Sequence, residues 1–371
     1  MTIELSKAVL IVGGYGVVGG QIAKIFRQRH PDIPLLLAGR NPSQAEQLVK
    51  EIGNAEAVKL DIESDFPLAT LKSRPAAVLS VVNDPYNHLL TDCVRNGVAY
   101  VDIARWTERL RESAVQASLE DLRAPLMLSS AWMAGVAVLL AKAASKPFES
   151  VSNIDVDILF ALADKAGPNS AEYMDRMAIP FDITVSGKKQ QRYPFSDAKE
   201  VTFPGGFTGK VHRFDVPDQM TLPVTTGAAS VNGRIGFDNN LITASLAFMA
   251  KYGIMKLLDR PIFDGFRRSL MYNPGQGAAH EIVIEIEGIA SSGQPNKEKV
   301  TVVDPLGQTH LTACGSVIQL ERVLGLDGDP ALLPGVHFPD QNENIDNALM
   351  LFRDNGVIVA GLPSDGQGVV A

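Results

Sequence analysis

Apolar residues in the first 145 positions fall in short, near-continuous runs, separated by helical stretches. The runs are Val9–Val12, Leu35–Ala38, Ala57–Leu60, Ala77–Val82, Val98–Ile103 and Leu126–Leu128. A strand apolar on both faces belongs in a sheet covered on both sides, as parallel sheets are. Between the first two runs, Val17, Val18, Ile22, Ile25 and Phe26 repeat at helical spacing. Asn41 stands as an N-cap before Pro42 at a first helical position, and Gly53 comes after that helix. A helix over His88–Asn96 closes at Gly97, and others start near Thr107 and Val136. This alternation predicts an α/β domain, a Rossmann doubly wound parallel sheet.

From about Val151 the pattern changes. Ile154, Val156 and Ile158 alternate with Asp155 and Asp157, and Ile282, Ile284 and Ile286 alternate with Glu281, Glu285 and Glu287. Phe181–Val185 reaches a turn at Ser186-Gly187 and returns through Arg192 and Phe195, and Val300–Val303 can pair back on the Ile282 strand. These read as half-buried antiparallel strands. Helical patterns cover Leu241–Leu258, Thr312–Leu324 and the tail Asn342–Asp354, and the last ten residues are glycine-rich. The expected organisation is a dinucleotide-binding domain over 1–148 and an α+β domain of largely antiparallel sheet over 149–334, for substrate and dimer contacts. The segment 335–371 is expected to return to the first domain.

The segment VLIVGGYGVVGG at Val9–Gly20 carries the most chemistry. Gly14, Gly16 and Gly19 form a G-x-G-x-x-G between a strand and a helix, the context a dinucleotide site requires. In this reading Gly14 makes the sharp turn, Gly16 lets the backbone approach a pyrophosphate, and Gly19 lets the helix pack on the strand. Tyr15, Val17 and Val18 complete the turn, and the N–H groups and dipole of the helix start hold the phosphates. An NAD site usually has an acid ending the second strand, for the ribose 2′-hydroxyl. Here that strand ends Ala38-Gly39-Arg40, with Ser43 shortly after. Arg40 offers a planar fork of donors for a 2′-phosphate, so NADPH is expected over NADH. Asp61, after the third strand, either reaches the adenine edge or caps a turn. Asn83 lies after the fourth strand, where the nicotinamide half should run.

The formal net charge of −8 and the absence of a Lys/Arg run argue against nucleic acid as a partner. Two cysteines, Cys93 and Cys314, give no disulfide framework, so a reducing, cytoplasmic setting is expected. The first strand begins at Val9, and no signal peptide is expected. Ala124–Ala141 is uncharged, but Pro125, Ser129, Ser130 and Gly135 interrupt it, and no membrane partner is expected. The six histidines lack ligand spacing, so no metal site is expected. His212, Arg213 and Arg234 either face a substrate cleft, where an Arg clamps a carboxylate, or are solvated charges. Phe248, Met249 and Met255 read as core or as a dimer interface.

The segments VLIVGGYGVVG, LLLAGRN, VVNDPYN, VAYVDIA, EIVIEIEG, KVTVVD and GVHFPD, in this order, resemble the saccharopine dehydrogenase-like family, also called saccharopine reductase-like. The resemblance spans residues 9 to 356. It implies an NADP-binding Rossmann domain, an inserted α+β domain with substrate and dimer contacts, and a C-terminal return to the first domain. Family members reduce imines formed between amino acids and carbonyl compounds, or run the reverse oxidation. Saccharopine-forming members carry Asp-Pro-Gly after the sixth strand; here Met133-Ala134-Gly135 stands there, and Trp132 with it suggests an apolar surface. The Pro-Tyr after the fourth strand is kept as Pro85-Tyr86, which implies a place beside the nicotinamide for Tyr86. Tyr86 and Asp102 are the candidate proton-handling residues, Asp102 being either a general base or the cap of the Thr107 helix. The expectation is an NADP-dependent oxidoreductase acting on a small imine/amine or carbonyl substrate, not on saccharopine, and forming a homodimer. The alternative is a non-catalytic NADPH-binding regulatory protein.

Overall fold

In a computed structural model of the chain, residues 7–130, 132–164, 176–254, 262 and 277–363 are described. The chain divides into two units. One takes the chain up to Val136 and again Thr312–Leu351; the other takes Ala137–Leu311 and the chain from Phe352 onward.

The first unit holds β1 (Val9–Val12), β2 (Leu35–Gly39), β3 (Ala55–Lys59), β4 (Ala77–Ser80), β5 (Ala99–Arg105) and β6 (Pro125–Ser130). Its helices include α1 (Val17–Arg29), α2 (Glu46–Ile52), α3 (His88–Asn96) and α4 (Thr107–Ser118). The sheet runs β3-β2-β1-β4-β5-β6, with the strand Gly335–His337 beside β6, and every pairing is parallel. This is the doubly wound Rossmann order, and its strand order reverses between β1 and β4. The apolar runs of β1, β2 and β4 are buried along their length, as two covered faces require. β3 lies at the sheet edge and is only half-buried. Gly97 closes α3 in the left-handed region (φ 61°), as its position after the helix suggested.

The second unit begins along α5 (Val136–Ser145) and holds β7 (Phe148–Phe160), β8 (Phe181–Val185), β9 (Lys188–Arg192), β10 (Lys199–Thr202), β11 (Thr208–Arg213), β12 (Val231–Phe237), β13 (His280–Ala290) and β14 (Pro295–Asp304). Its sheet runs β10-β11-β12-β7-β13-β14, and the hairpin β8-β9 joins β12. Within this second sheet only β12 and β7 pair in parallel among the described strands. The fold is therefore α/β with a second, largely antiparallel α+β unit. Three expectations are corrected. Asp155 and Asp157 are buried rather than solvent-facing, because this central strand is covered on both faces. Phe195 lies in a loop with φ 60°, since β9 ends at Arg192. The strand Ile358–Ala360 pairs with β14 in the second sheet, so 335–371 does not return as a whole to the first.

Two later helices of the first unit matter for its stability, Gln308–Leu324 and Ile345–Asp354. The Glu321 carboxylate, with no exposed side-chain surface, accepts hydrogen bonds from Arg29 Nε at 2.6 Å, His30 Nε2 at 2.7 Å and Asn347 Nδ2 at 2.7 Å. It ties the end of α1 to both helices. Burial alone would raise the Glu321 carboxyl, but the bonds from His30, Arg29 and Asn347 outweigh it and hold the group below its ordinary value.

A depressed carboxylate contributes stability that is complete above its unfolded pKa, about 4.3, and is lost as pH falls through the lower folded value. Glu321→Ala should cost about 3 kcal/mol at about pH 7, because Arg29 loses its buried counter-charge. The urea midpoints of wild type and Glu321→Gln should converge as the pH drops below about 4. A gap that stays constant with pH would show that the ion pair contributes nothing.

Candidate functional site

β1 ends in a turn whose left-handed residue is Gly13, with φ 83°. The sharp turn is therefore at Gly13 and not at Gly14, as the spacing suggested. Gly14 is needed for closeness: a Cβ there would stand 2.7 Å from the Ile11 carbonyl oxygen. At Gly19 it would stand 2.1 Å from the Gly13 oxygen, so α1 packs backbone against backbone on the turn. Gly16 is different. It is exposed, and its Cβ would meet only the Gly13 oxygen, at 3.3 Å. The first bond inside α1 runs from Gly20 N–H to Gly16 oxygen, so the N–H groups of Val17, Val18 and Gly19 precede it. No acid lies in that first turn. Val17, placed in the buried face by its spacing, is 53% exposed at the helix start. This is an open helix N-terminus suited to an anion.

β2 ends beside it. The Tyr15 ring lies across Gly39, where a Cβ would come within 2.2 Å of the phenol oxygen, and that oxygen accepts the Asn41 N–H at 3.0 Å. Arg40 is exposed and pairs with no described residue. Asn41 does not cap a helix with its side chain; its Oδ1 accepts the Ser43 hydroxyl at 2.7 Å, and Pro42–Ala45 forms a 3-10 turn before α2. Asp61 accepts the Glu63 N–H at 3.0 Å, so of its two readings the turn cap is the one seen. Asn83 is half-buried after β4.

The segment after β4 anchors a buried polar network that the spacing did not reveal. Asp84 accepts the N–H groups of His88, Leu89 and Leu90 and so caps α3. Arg105, 1% exposed, donates Nε to Asp102 at 2.7 Å and Nη1 to Ser113 at 2.6 Å and to Asn87. Tyr100 donates its hydroxyl to Asp102 at 2.6 Å. Burial pushes the Asp84 carboxyl up, against the pull of Arg105, and it pushes the Tyr100 phenol well up, with the Asp102 charge adding to it. Asp102 does not cap α4, whose N-cap is Trp106 with no side-chain bond. Its carboxylate serves Arg105, Tyr100 and the Ala104 N–H instead. Tyr86 is 70% exposed and stacks on His88 with ring centroids 5.5 Å apart.

With these turns all at the carboxyl edge of a Rossmann sheet, comparison with known proteins bears directly on them. The family model of the saccharopine dehydrogenase NADP binding domain matches residues 9–125. That segment is similar to a nucleotide-binding domain and includes the glycine turn. The whole chain is also similar in fold to apo saccharopine dehydrogenase (L-Glu forming) from Saccharomyces cerevisiae, at a TM-score of 0.64 and 14% identity over 96% of this chain and 100% of that one. A second solved structure, GenD2 from gentamicin A biosynthesis in complex with NAD, aligns over 97% of this chain and 98% of its own at 11% identity, with a TM-score of 0.43, too low to argue from. No curated protein sequence matches the chain.

The turn after β6, which lies beyond the matched residues, has an unusual backbone. Met133, Ala134 and Gly135 all have positive φ, 47°, 49° and 79°. They are held from several sides. A Cβ at Gly135 would stand 2.5 Å from Pro339, one at Gly315 would stand 2.4 Å from the Met133 carbonyl, and Gln319 donates to the Ala134 carbonyl at 3.3 Å. Trp132, Met133 and Ala134 are buried, so the expected apolar surface is not formed by these side chains. Proline holds φ near −65°, so an Asp-Pro-Gly cannot be written onto this turn.

The second unit contains a charged cluster that the alternating pattern hid. Lys199 Nζ lies 2.7 Å from Asp155, 2.7 Å from Asp157 and 2.9 Å from Glu285. Arg234 pairs with Asp155 at 3.1 Å and Asp157 at 3.2 Å, and Arg213 bonds Asp197 at 2.7 Å and Asn232 at 2.6 Å. Arg213 and Arg234 are thus buried and paired with acids rather than solvated. Burial works against ionisation of both aspartates. Arg234 and Lys199 overcome it at Asp155, whose carboxyl is held low, whereas at Asp157 burial prevails and the carboxyl is raised. His212 is buried beside Phe195, and burial lowers its imidazole pKa.

The turn after β6 makes a stability prediction. An L-residue in the left-handed region costs about 1–2 kcal/mol, and glycine gives back about 0.5–1 kcal/mol in chain entropy. Ala134→Gly should therefore stabilise the protein by roughly 0.5–1 kcal/mol in urea unfolding. Ala134→Pro should destabilise it by about 3 kcal/mol or more. A glycine variant less stable than wild type would mean that the turn is not strained.

Proposed function

We propose that the protein is an NADP-dependent oxidoreductase acting on a small imine/amine or carbonyl compound other than saccharopine. The observation that carries the cofactor half is Arg40. It is an exposed, unpaired guanidinium at the end of β2, next to the glycine turn, and no acid stands at that strand end. The residues fit the cofactor. The exposed Gly16 backbone and the N–H groups of Val17, Val18 and Gly19 would hold the pyrophosphate, and Arg40 with Ser43 the 2′-phosphate. The bound nicotinamide supplies or accepts the hydride. In this reading Tyr86 hands a proton to substrate, supported by its exposure after β4 and its stacking on His88. Asp102 acts through Arg105, since every observed contact of its carboxylate is inside the buried network.

Two observations support a substrate other than saccharopine: position 133 is Met, and its left-handed turn excludes Asp-Pro-Gly. The same departure favours the second reading, a non-catalytic NADPH-binding regulator, over a saccharopine enzyme. No helix among the described residues is long and apolar enough to cross a membrane, and both cysteines are buried free thiols, which suits a reducing compartment such as the cytoplasm. A symmetric homodimer is the proposed assembly, through the helix Asn240–Lys251, which exposes Leu241, Ile242 and Phe248 and buries only Thr243. That helix is therefore not the core that its pattern also allowed. Residues 255–258 of the expected Leu241–Leu258 helix, Met255 among them, lie outside the described residues.

The cofactor assignment predicts that wild type binds NADPH more tightly than NADH, and that Arg40→Asp weakens NADPH by about ten-fold or more while NADH changes little. Equal binding of both cofactors by wild type would overturn it. The activity is tested by tracking NADPH absorbance over a panel of amino acids with keto acids, aldehydes and ketones, and with lysine-derived semialdehyde plus glutamate. Turnover on a panel member with none on the last pair is the expected result. Saccharopine formation at ordinary enzymatic rates would refute the substrate reading. Tight NADPH binding with no turnover would favour the regulator.

A further inference from the structure

The tyrosine inside the glycine motif does something that the motif itself does not require. A pyrophosphate turn needs small residues and free N–H groups, and position 15 lies between two glycines with its side chain open to choice. Here that side chain leaves the turn and crosses to the next strand. The half-buried Tyr15 side chain lies against Gly39, closely enough that a Cβ at 39 would meet its phenol oxygen at 2.2 Å and two ring carbons at 2.6 and 2.8 Å. Its hydroxyl accepts the Asn41 N–H at 3.0 Å. Arg40 sits between these two points of attachment, and the Asn41 side chain in turn holds the Ser43 hydroxyl at 2.7 Å. The loop that presents Arg40 and Ser43 is thus fastened to the pyrophosphate turn by one side chain.

We propose that Tyr15 is a specificity-determining positioning residue: it sets the distance and angle between the pyrophosphate turn and the Arg40–Ser43 loop, and so tunes preference for a dinucleotide bearing a 2′-phosphate. The inference rests on the NADP reading of Arg40. The chemistry is direct. A guanidinium binds phosphate bidentately only when its backbone is held at one place relative to the rest of the ligand. A dinucleotide without the 2′-phosphate does not use Arg40, so its affinity does not register the loop position. Glycine at 39 belongs to the same device. Any side chain there displaces the ring, which makes Gly39 a requirement of Tyr15 rather than of the strand.

The test is a set of cofactor titrations by protein fluorescence on the full chain, with NADPH and NADH, for wild type, Tyr15→Phe, Gly39→Ala and the pair Tyr15→Ala/Gly39→Ala. Tyr15→Phe keeps the ring and deletes the bond to Asn41. It should weaken NADPH about five-fold, the worth of one neutral hydrogen bond, and leave NADH within about two-fold. Gly39→Ala should lower the NADPH preference likewise, and the added cost of Gly39→Ala should vanish once Tyr15 is Ala. Circular dichroism and the urea midpoint show whether each variant is folded, and Tyr15→Phe, which removes one exposed hydroxyl, stands if Gly39→Ala does not fold. A purely structural role would weaken both cofactors equally, and that result overturns the proposal, as does a Tyr15→Phe variant with the wild-type ratio. The two readings fail separately. If wild type shows no NADPH preference, the Arg40 assignment is at fault and this inference falls with it. If wild type prefers NADPH and the ratio survives in Tyr15→Phe, only the role of Tyr15 is wrong.

Discussion

The close approach of α1 to the turn before it is the constraint on which the first unit depends. At Gly19 a single added carbon would stand 2.1 Å from the Gly13 carbonyl oxygen, well inside any tolerable contact. Only glycine lets the helix start there, and the start decides everything at that edge. It leaves the N–H groups of Val17, Val18 and Gly19 ahead of the first bond inside α1, after β1, beside which the strand order reverses. It leaves Gly16 exposed and places Tyr15 within reach of β2. At its far end the same helix puts Arg29 and His30 on Glu321, so the element that forms the candidate site is also the one bound to the helices Gln308–Leu324 and Ile345–Asp354.

The buried network behind the site obeys a different rule. An Arg side chain 1% exposed is tolerable only with its charge matched and its donors used. Asp102 supplies the charge at 2.7 Å, and Ser113 and Asn87 take further donors. Asn87 itself adopts a left-handed backbone (φ 58°), which suits the short polar side chain. Burial leaves Cys93, deep in α3, with a thiol pKa well above normal, made higher still by the Asp92 charge, so this thiol is inert filling. Such a network ties the segment after β4 to the end of β5, while Tyr86, one residue before Asn87, stays at the surface.

Much of the fold was legible in the sequence because hydrophobic period and helix punctuation reported it directly. The strands β1 and β2, the helix His88–Asn96 with Gly97 after it, and the β13-β14 hairpin all lie where their patterns put them. What was illegible has a common cause: a residue's neighbour in space was not its neighbour in sequence. Alternating Asp155 and Asp157 has the period of a solvent-facing edge, yet the partner that buries them is Lys199, 42 to 44 residues away. Asp102 at a strand end before a helix looks like a cap, and only the fold shows Arg105 and Tyr100 taking its oxygens. The glycine motif announced the turn, but not that φ 83° falls on Gly13, one residue before the pattern begins.

The turn after β6 shows why side-chain letters have to be read on the backbone that carries them. Set beside Asp-Pro-Gly, the letters Met-Ala-Gly suggest the loss of one carboxylate from a shared scaffold. The dihedrals exclude that reading, because Ala134 at φ 49° occupies a region that proline cannot enter. The chain instead makes three left-handed residues in a row, a conformation that L-residues adopt at a cost and that persists only when its surroundings over-determine it. Those surroundings are specific: Pro339 against Gly135, Gly315 against the Met133 carbonyl, and Gln319 on the Ala134 carbonyl. Gly315 and Gln319 lie one turn apart on the same helix, so one helix face was shaped to receive this backbone. A carboxylate placed at 133 would therefore sit on a left-handed backbone held by these contacts. Chemistry at this edge of the sheet has to be read from the turn that is there.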